Sequence, residues 1–174
     1  MNGFRIAVAT KDKTQEDLII LGTDKKGDGE ESSNDIYGDE ASVIQSVDIF
    51  FDTTDNNVKQ KSGSMLARVE IKGKIPKTNP KLMKMFRKIS EWSHDRKAET
   101  QYRNICIAIK DSDNSFHAVY KIENVFVVDY REVYRLDDEG KDEFELRLTQ
   151  RENNMDKIDI LSDWPANWEW ARKG

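Results

Sequence analysis

The segment Glu143–Gln150, with the sequence EFELRLTQ, has the most regular alternation of apolar and polar residues in the chain. Phenylalanine or leucine fills every second position from Phe144 to Leu148, and glutamate, arginine and threonine fill the positions between and after them. Successive side chains of a strand point to opposite faces of a sheet. The period of two therefore predicts a strand with one buried and one solvent-facing side.

Six further segments have strand character, and polar turns separate them. One such turn is Asp137-Asp138-Glu139-Gly140, where the glycine can take a positive φ. The segments are rich in β-branched and aromatic residues, which favour strands. The predicted strands are Gly3–Thr10, Leu18–Gly22, Val43–Thr53, Met65–Ile75, Tyr102–Lys110 and Phe116–Tyr134, the last of which is long enough to bend once.

Asn79–Ser93 is the one segment that predicts a helix. Asn79 can cap its N-terminus, and Pro80 suits the first helical position. Apolar residues recur at spacings of three and four, which places them on one stripe that we expect to pack on the sheet. The stripe consists of Leu82, Met85, Phe86, Ile89 and Trp92.

These elements predict a mostly β fold, an antiparallel β-barrel or sandwich with one flanking α-helix and long loops. The 174 residues fit a single domain, 1–174. Residues 23–42 form a long polar loop in this prediction, and loops of that length are usually functional or disordered. Residues 153–174 form a C-terminal extension that holds three of the four tryptophans.

Composition narrows the classes of partner. The formal net charge of −5 does not favour long-range attraction to phosphate backbones, so we expect no sequence-specific nucleic acid partner. No apolar run approaches the roughly 20 residues that span a bilayer, which predicts no membrane anchor. The first ten residues lack the features of a signal peptide. A single cysteine cannot crosslink the fold, so a reducing compartment is the simpler inference.

A search for catalytic chemistry yields no recognised motif and predicts no catalytic, cofactor-binding or metal-binding residue. Cys106 lies in an apolar strand-like run and is expected to be buried, and His94 and His117 are expected at the surface. Asp24–Asp35 loosely matches a calcium loop, but Lys26 would place a cation against the metal. An enzyme that uses Cys106 or the loop carboxylates remains an alternative.

Five segments in the stretch from about Leu66 to Trp164 follow one another in a familiar order. They are Ala67–Ile71, the helix start Asn79–Met83, Val125–Glu132, Phe144–Thr149 and Asp163-Trp164-Pro165. This order resembles the hemolysin-coregulated tube protein of type VI secretion systems. Phage tail-tube proteins and the tubes of extracellular contractile injection particles share that fold.

The resemblance implies a β-barrel with one flanking helix, six copies in a ring, and rings stacked into a hollow tube inside a contractile sheath. It implies no active site and no cofactor. The implied partners are further copies of the chain, sheath and baseplate or spike proteins, and effector cargo in the lumen. The tube would assemble in the bacterial cytoplasm and then be exported or injected. A phage tail-tube protein and a ligand-binding β-barrel of lipocalin type are the alternatives.

Candidate contacts between subunits fall in the polar segments and the tail. We expect Trp164 to pack on its own domain near Trp92, while the last tryptophans form a patch for a neighbour or complete the domain's own core. The candidate contact residues are Lys25, Lys26, Asp28, Glu30, Glu31, Tyr37, Asp55, Lys59, Trp168 and Trp170.

Overall fold

The structure, a computed structural model, contains eight strands and two helices among the residues that it describes. The described residues are 3–10, 18–22, 43–53, 65–75, 77, 79–110, 116–136, 141–151, 158–162 and 164. The strands are β1 (Gly3–Thr10), β2 (Ile19–Gly22), β3 (Ile44–Thr53), β4 (Met65–Lys74), β5 (Arg103–Lys110), β6 (Phe116–Val133), β7 (Glu143–Gln150) and β8 (Ile158–Leu161). The helices are α1 (Pro80–Ser93) and α2 (Ala98–Gln101).

All strand pairs are antiparallel, and the strand order is β2-β1-β5-β6-β7-β4-β3. The eighth strand, β8, pairs with the first part of β6 outside this order. In the described part of the chain, β2 and β3 do not pair, so the sheet is not closed into a barrel, although β3 approaches β1. The predicted mostly β antiparallel fold with a flanking helix is confirmed.

Each of the seven predicted strands is present, with ends that differ by one residue at most. Two elements were not predicted from the sequence. They are β8, which lies in the C-terminal extension, and the short helix α2, which lies in a polar stretch. Both are four residues long, too short for a hydrophobic period to identify them.

The predicted capping of α1 is confirmed. The backbone N–H of Leu82 donates to Oδ1 of Asn79 at 3.2 Å, and Met83 N–H donates to the Asn79 carbonyl at 3.0 Å. Every residue of the predicted apolar stripe is buried, and α1 lies against β2 and β6. The ring of Phe86 meets Phe144 edge to face, with centroids 4.8 Å apart. No helix among the described residues is long and apolar enough to cross a membrane.

The two faces of the sheet hold different apolar clusters. In β1, Ile6 and Val8 belong to the main core, which also contains the stripe of α1. Ala7 and Ala9 alternate with them and therefore point to the opposite face. There they join Ile20, Cys106, Ala108 and Val119 in what we call the small-residue cluster.

The long strand β6 contains a left-handed residue near the point where its pairing partner changes. Asn124 has φ 57°, a conformation that asparagine tolerates better than most residues. Its backbone N–H donates to Oδ1 of Asn104 at 3.2 Å, and its carbonyl accepts the N–H of Arg151 at 2.8 Å. These bonds hold the point where β6 changes from pairing with β5 to pairing with β7.

The hairpin between β6 and β7 is fixed at its base by Asp142, whose side chain is buried. Its Oδ1 accepts the backbone N–H of Arg135 at 2.9 Å, and its carboxylate also pairs with the ammonium of Lys77. Its own carbonyl accepts the N–H of Ile75 at 2.9 Å. Asp142 therefore links the end of β6 and the end of β4 at the start of β7.

Candidate assembly surfaces

The side chains considered for catalysis do not come together. Cys106 is buried in the small-residue cluster, and burial raises the pKa of its thiol to about 12. His94 and His117 are exposed, as predicted. Within the described ranges, no three His, Cys, Asp or Glu side chains are grouped as metal ligands. A nucleophilic cysteine has to be a thiolate, and the raised pKa keeps this thiol protonated. Its position therefore indicates that Cys106 is a packing residue.

All of the predicted contact residues lie outside the described residues. They fall in the ranges 23–42, 54–64 and 165–174. That they form contacts between subunits therefore remains a prediction.

Trp164 packs on its own domain, but the predicted position near Trp92 is wrong. Trp92 belongs to the main core beneath α1, where its Nε1–H donates to the carbonyl of Gln101 at 2.8 Å. Trp164 packs instead against the small-residue cluster, with the guanidinium carbon of Arg5 4.4 Å from its ring centroid. Trp164 therefore lies on the face of the sheet opposite α1.

The face of β4 and β7 that points away from the main core is charged and internally paired. Its centre is Glu145, whose carboxylate lies 2.8 Å from Arg147, 3.0 Å from Arg131 and 4.0 Å from Lys72. Arg147 also approaches Glu70 at 3.7 Å across the strand pair. We call this surface the charged face. Its cations and anions alternate between strands, as favourable cross-strand pairs do.

The pKa values of the central pair follow from these contacts. Desolvation alone raises the pKa of Glu145, but the hydrogen bond from Arg147 and the charges of Arg147, Lys72 and Arg131 lower it overall. The hydrogen bond and charge of Glu145 raise the pKa of Arg147. Both shifts favour the charged forms of Glu145 and Arg147.

An exposed apolar patch lies at the C-terminal end of β3. Val47 and Ile49 pack against the main core, whereas Phe51, on the same side of β3, is 46% exposed. Its ring centroid is 6.5 Å from that of Tyr120 in β6, and Tyr120 pairs with Ile160 of β8, which is 72% exposed. We call Phe51, Tyr120 and Ile160 the rim patch.

A second exposed apolar site follows the end of β6. Tyr134 is 53% exposed and Leu136 is fully exposed, next to the base of the hairpin that Asp142 fixes. The hydroxyl of Tyr134 donates to Glu132 at 2.8 Å, and the hydroxyl of Tyr130 donates to the same carboxylate. We call Tyr134 and Leu136 the hairpin tip, because they lie just before the predicted turn 137–140. An exposed leucine on an anchored hairpin is available for contact with another molecule.

The comparisons with known proteins gave matches only among solved structures. No protein-family model and no curated protein matches the sequence. Hcp1 from Flavobacterium johnsoniae is similar in structure, with 10% identity, a TM-score of 0.45, and coverage of 91% of this chain and 96% of that one. Hcp1 from Salmonella typhimurium has 10% identity, a TM-score of 0.46, and coverage of 84% and 81%.

A chain in the sheath–tube complex of an extracellular contractile injection system, PVC, in its extended state is also similar. It has 12% identity, a TM-score of 0.44, and coverage of 91% of this chain and 89% of that one. At such identities and TM-scores the likeness carries no functional argument, which therefore rests on the residues of this chain.

The rim patch and the hairpin tip were not predicted from the sequence. Phe51 continues the apolar period of β3, which predicts that its side chain is buried. In the structure the side chain is exposed, because it lies near the end of the strand. Leu136 was visible as an apolar residue immediately before the polar turn 137–140. A large apolar residue beside a turn is the signal that could have indicated this surface.

Proposed function

We propose that this chain is one domain, 1–174, and acts as a structural inner-tube protein of a contractile injection machine of the type VI secretion kind or a related particle. Copies form hexameric rings, and the rings stack into a hollow tube. The role is non-catalytic. The tube assembles in the bacterial cytoplasm, with sheath and baseplate proteins as partners, and is then exported or injected.

The observation that carries the proposal is the exposure of large apolar side chains on two separate surfaces. The rim patch and the hairpin tip expose phenylalanine, isoleucine, tyrosine and leucine in a chain of which 35% is charged. In the rim patch, a ring contact links Phe51 to Tyr120 and strand pairing places Tyr120 beside Ile160. Clustered apolar exposure on a polar domain is typical of an interaction surface. Two such surfaces permit each copy to hold more than one neighbour, which a closed assembly or a tube requires.

The sequence resemblance supplies the kind of assembly. The segments that carry it include the strand Ala67–Ile71, the start of α1 and the strand Phe144–Thr149, which are strands and a helix start in the structure as well. The charged face complements this proposal. A surface of paired cations and anions stays hydrated, which suits a wall that faces solvent and not a dry contact between subunits.

Mass and shape test the proposal directly. The purified protein is concentrated and measured by size-exclusion chromatography with light scattering, and the same sample is imaged by negative-stain electron microscopy. We expect a species with six times the chain mass, together with rings and short tubes. Six-fold symmetry in class averages of end-on views is the decisive result.

A strictly monomeric protein at high concentration, with no rings in micrographs, would contradict the proposal. The ligand-binding alternative has its own signature in the same sample. Native mass spectrometry would then show a monomer that carries a bound lipid or other small molecule. The structure places Phe86, Phe144 and Trp92 in the middle of the main core, where such a ligand would have to bind.

A further inference from the structure

We propose that the exposed basic side of α1 is a binding surface for acidic peptide segments, and that residues 28–40 of the same copy occupy it. We call Lys84 and Arg87 the helix face, and residues 28–40 the acidic segment. The inference goes beyond the proposed function, because it concerns a contact within one copy that does not depend on how the copies assemble.

The helix face carries positive charge that no described residue neutralises. Lys84 and Arg87 are exposed, and residues three apart are neighbours on a helix surface. Within the described ranges, no carboxylate lies within ion-pair distance of either side chain, and this includes Glu91, one turn after Arg87. The arginines of the charged face, by contrast, pair with carboxylates. The helix face therefore has two cations available for an acidic partner.

The acidic segment has the opposite charge. Lys25 and Lys26 precede it, and it contains six acids and no lysine or arginine. The net charge of the chain is −5, so the residues outside the segment together carry +1. The excess negative charge of the molecule is therefore located in this segment, which makes it electrostatically complementary to the helix face. Its acids are Asp28, Glu30, Glu31, Asp35, Asp39 and Glu40.

The connection that contains the acidic segment is anchored at both ends beside α1. It runs from the end of β2 at Gly22 to Val43, just before β3. Leu21 and Val43 are buried in the main core together with the apolar stripe of α1. In addition, β2 lies against α1, and the ammonium of Lys88 donates to the carbonyl of Leu18 at 3.1 Å. The connection therefore starts and ends on the side of the sheet that carries the helix.

The connection is long enough to bring the acidic segment to the helix face of its own copy. At about 3.3 Å per residue, the chain between Gly22 and Val43 can extend to roughly 70 Å. The helix α1 is only about 21 Å long. A tethered segment meets its own copy at an effective concentration on the order of 1 mM. At lower protein concentrations, the contact within one copy is therefore favoured over the same contact with a neighbour.

The strength of the contact follows from its chemistry. Exposed ion pairs are individually weak and are screened by salt, so we expect the acidic segment to leave the helix face as ionic strength rises. The contact also defines which partners the helix face accepts. An acidic segment of another protein has to displace the chain's own segment, which selects partners whose carboxylates fit the two cations better.

Carbodiimide crosslinking tests the contact, because the reagent couples a lysine ammonium to a carboxylate beside it. Unlabelled and ¹⁵N-labelled protein are mixed in urea, refolded together, crosslinked and analysed by peptide mass spectrometry. We expect Lys84 to be coupled to acids of the segment, with both peptides carrying the same isotope. The pair Lys72 and Glu145, 4.0 Å apart on the charged face, is the internal standard for the reaction.

Charge variants test whether the helix face is what holds the segment. Arg87→Glu should lower the yield of the Lys84 crosslink by about fivefold or more, whereas Arg87→Lys should retain it. Lys74→Glu is the matched control, since Lys74 is an exposed cation of β4 opposite Glu143, and it should leave the yield unchanged. Salt at about 1 M, where the Debye length is about 3 Å, should lower the yield in the parent. All three substituted positions are exposed, so the melting temperatures should stay within a few degrees.

Three results would overturn the proposal. The first is the absence of a crosslink between Lys84 and the acidic segment in a sample where Lys72 is coupled to Glu145. The second is a crosslink whose two peptides carry different isotopes, which would place the segment on a neighbouring copy. The third is an equal loss of the crosslink in Arg87→Glu and Lys74→Glu, which would show that only the net charge of the molecule matters.

Discussion

Phe86 joins the helix to the sheet, because its ring lies between α1 and Phe144 of β7 and is 1% exposed. Phe86→Ala removes most of a buried aromatic side chain and leaves a cavity between two elements. We expect the free energy of unfolding to fall by about 3–5 kcal/mol. Urea denaturation monitored by circular dichroism measures the change. Arg87→Ala, one residue along on the exposed side of α1, is the control and should change it by less than about 0.5 kcal/mol.

Cys106 offers a test of the small-residue cluster, since burial raises the pKa of its thiol to about 12. Because this value lies above the ordinary pKa, the folded thiol stays protonated at pH 8, and only the thiolate reacts rapidly with disulfide reagents. We expect almost no reaction with Ellman's reagent at pH 8 and complete reaction in strong urea. Rapid reaction of the folded protein would show that β1, β5 and β6 do not cover the thiol.

The same raised pKa has a consequence for stability. Deprotonation favours the unfolded chain, so the contribution of Cys106 is complete below the ordinary pKa and is lost as pH rises toward 12.

At the scale of helices and strands, some sequence signals are sufficient to predict the structure and others are not. The capped start of α1 and the period-two strands are local features, and the structure confirms their boundaries to within one residue. The exposure of Phe51 and the side of the sheet on which Trp164 packs are not local. They depend on which strands lie next to β3 and on the path taken after β8. A period of two distinguishes the two faces of a strand, but it does not show which element packs on each face.

The charged face predicts a pH dependence that belongs to the sheet. The pKa of Glu145 is lowered overall, so the carboxylate stabilises the fold above its ordinary pKa, and the contribution is lost as pH falls through the folded value. We expect Glu145→Gln to lower the free energy of unfolding at pH 7 by up to about 1 kcal/mol. The difference from the parent should shrink in urea titrations below about pH 4.

Glu143→Gln provides the comparison for this prediction. Glu143 is more exposed and lies 3.5 Å from Arg135, at the edge of the same strand. Its substitution should have a smaller effect at pH 7. If both variants lose the same stability at every pH, the cluster of cations around Glu145 has no special role, and the charged face acts only through its overall charge.

At the scale of the whole molecule, strand order is the feature that the sequence leaves open. Seven strands and one helix can be predicted from periods and turns, but the order β2-β1-β5-β6-β7-β4-β3 depends on contacts between distant segments. The resemblance to tube proteins implied a β-barrel, whereas the described strands form an antiparallel sheet that is not closed. The resemblance did not predict the pairing of β8 with β6 or the packing of Trp164 on the face opposite α1.

The tail should have two separable roles, and two truncations distinguish them. Ending the chain after residue 157 removes β8 and Trp164, which uncovers the small-residue cluster and one edge of β6 between Val119 and Ile122. We expect this truncation to lower the free energy of unfolding by about 2–4 kcal/mol, because Leu161 and Trp164 no longer cover apolar surface.

Ending the chain after residue 166 keeps these contacts and removes Trp168 and Trp170. That truncation should keep the melting temperature within a few degrees and weaken assembly, as measured by tube length in micrographs. A large loss of stability in the shorter deletion would show instead that the last tryptophans complete the domain's own core.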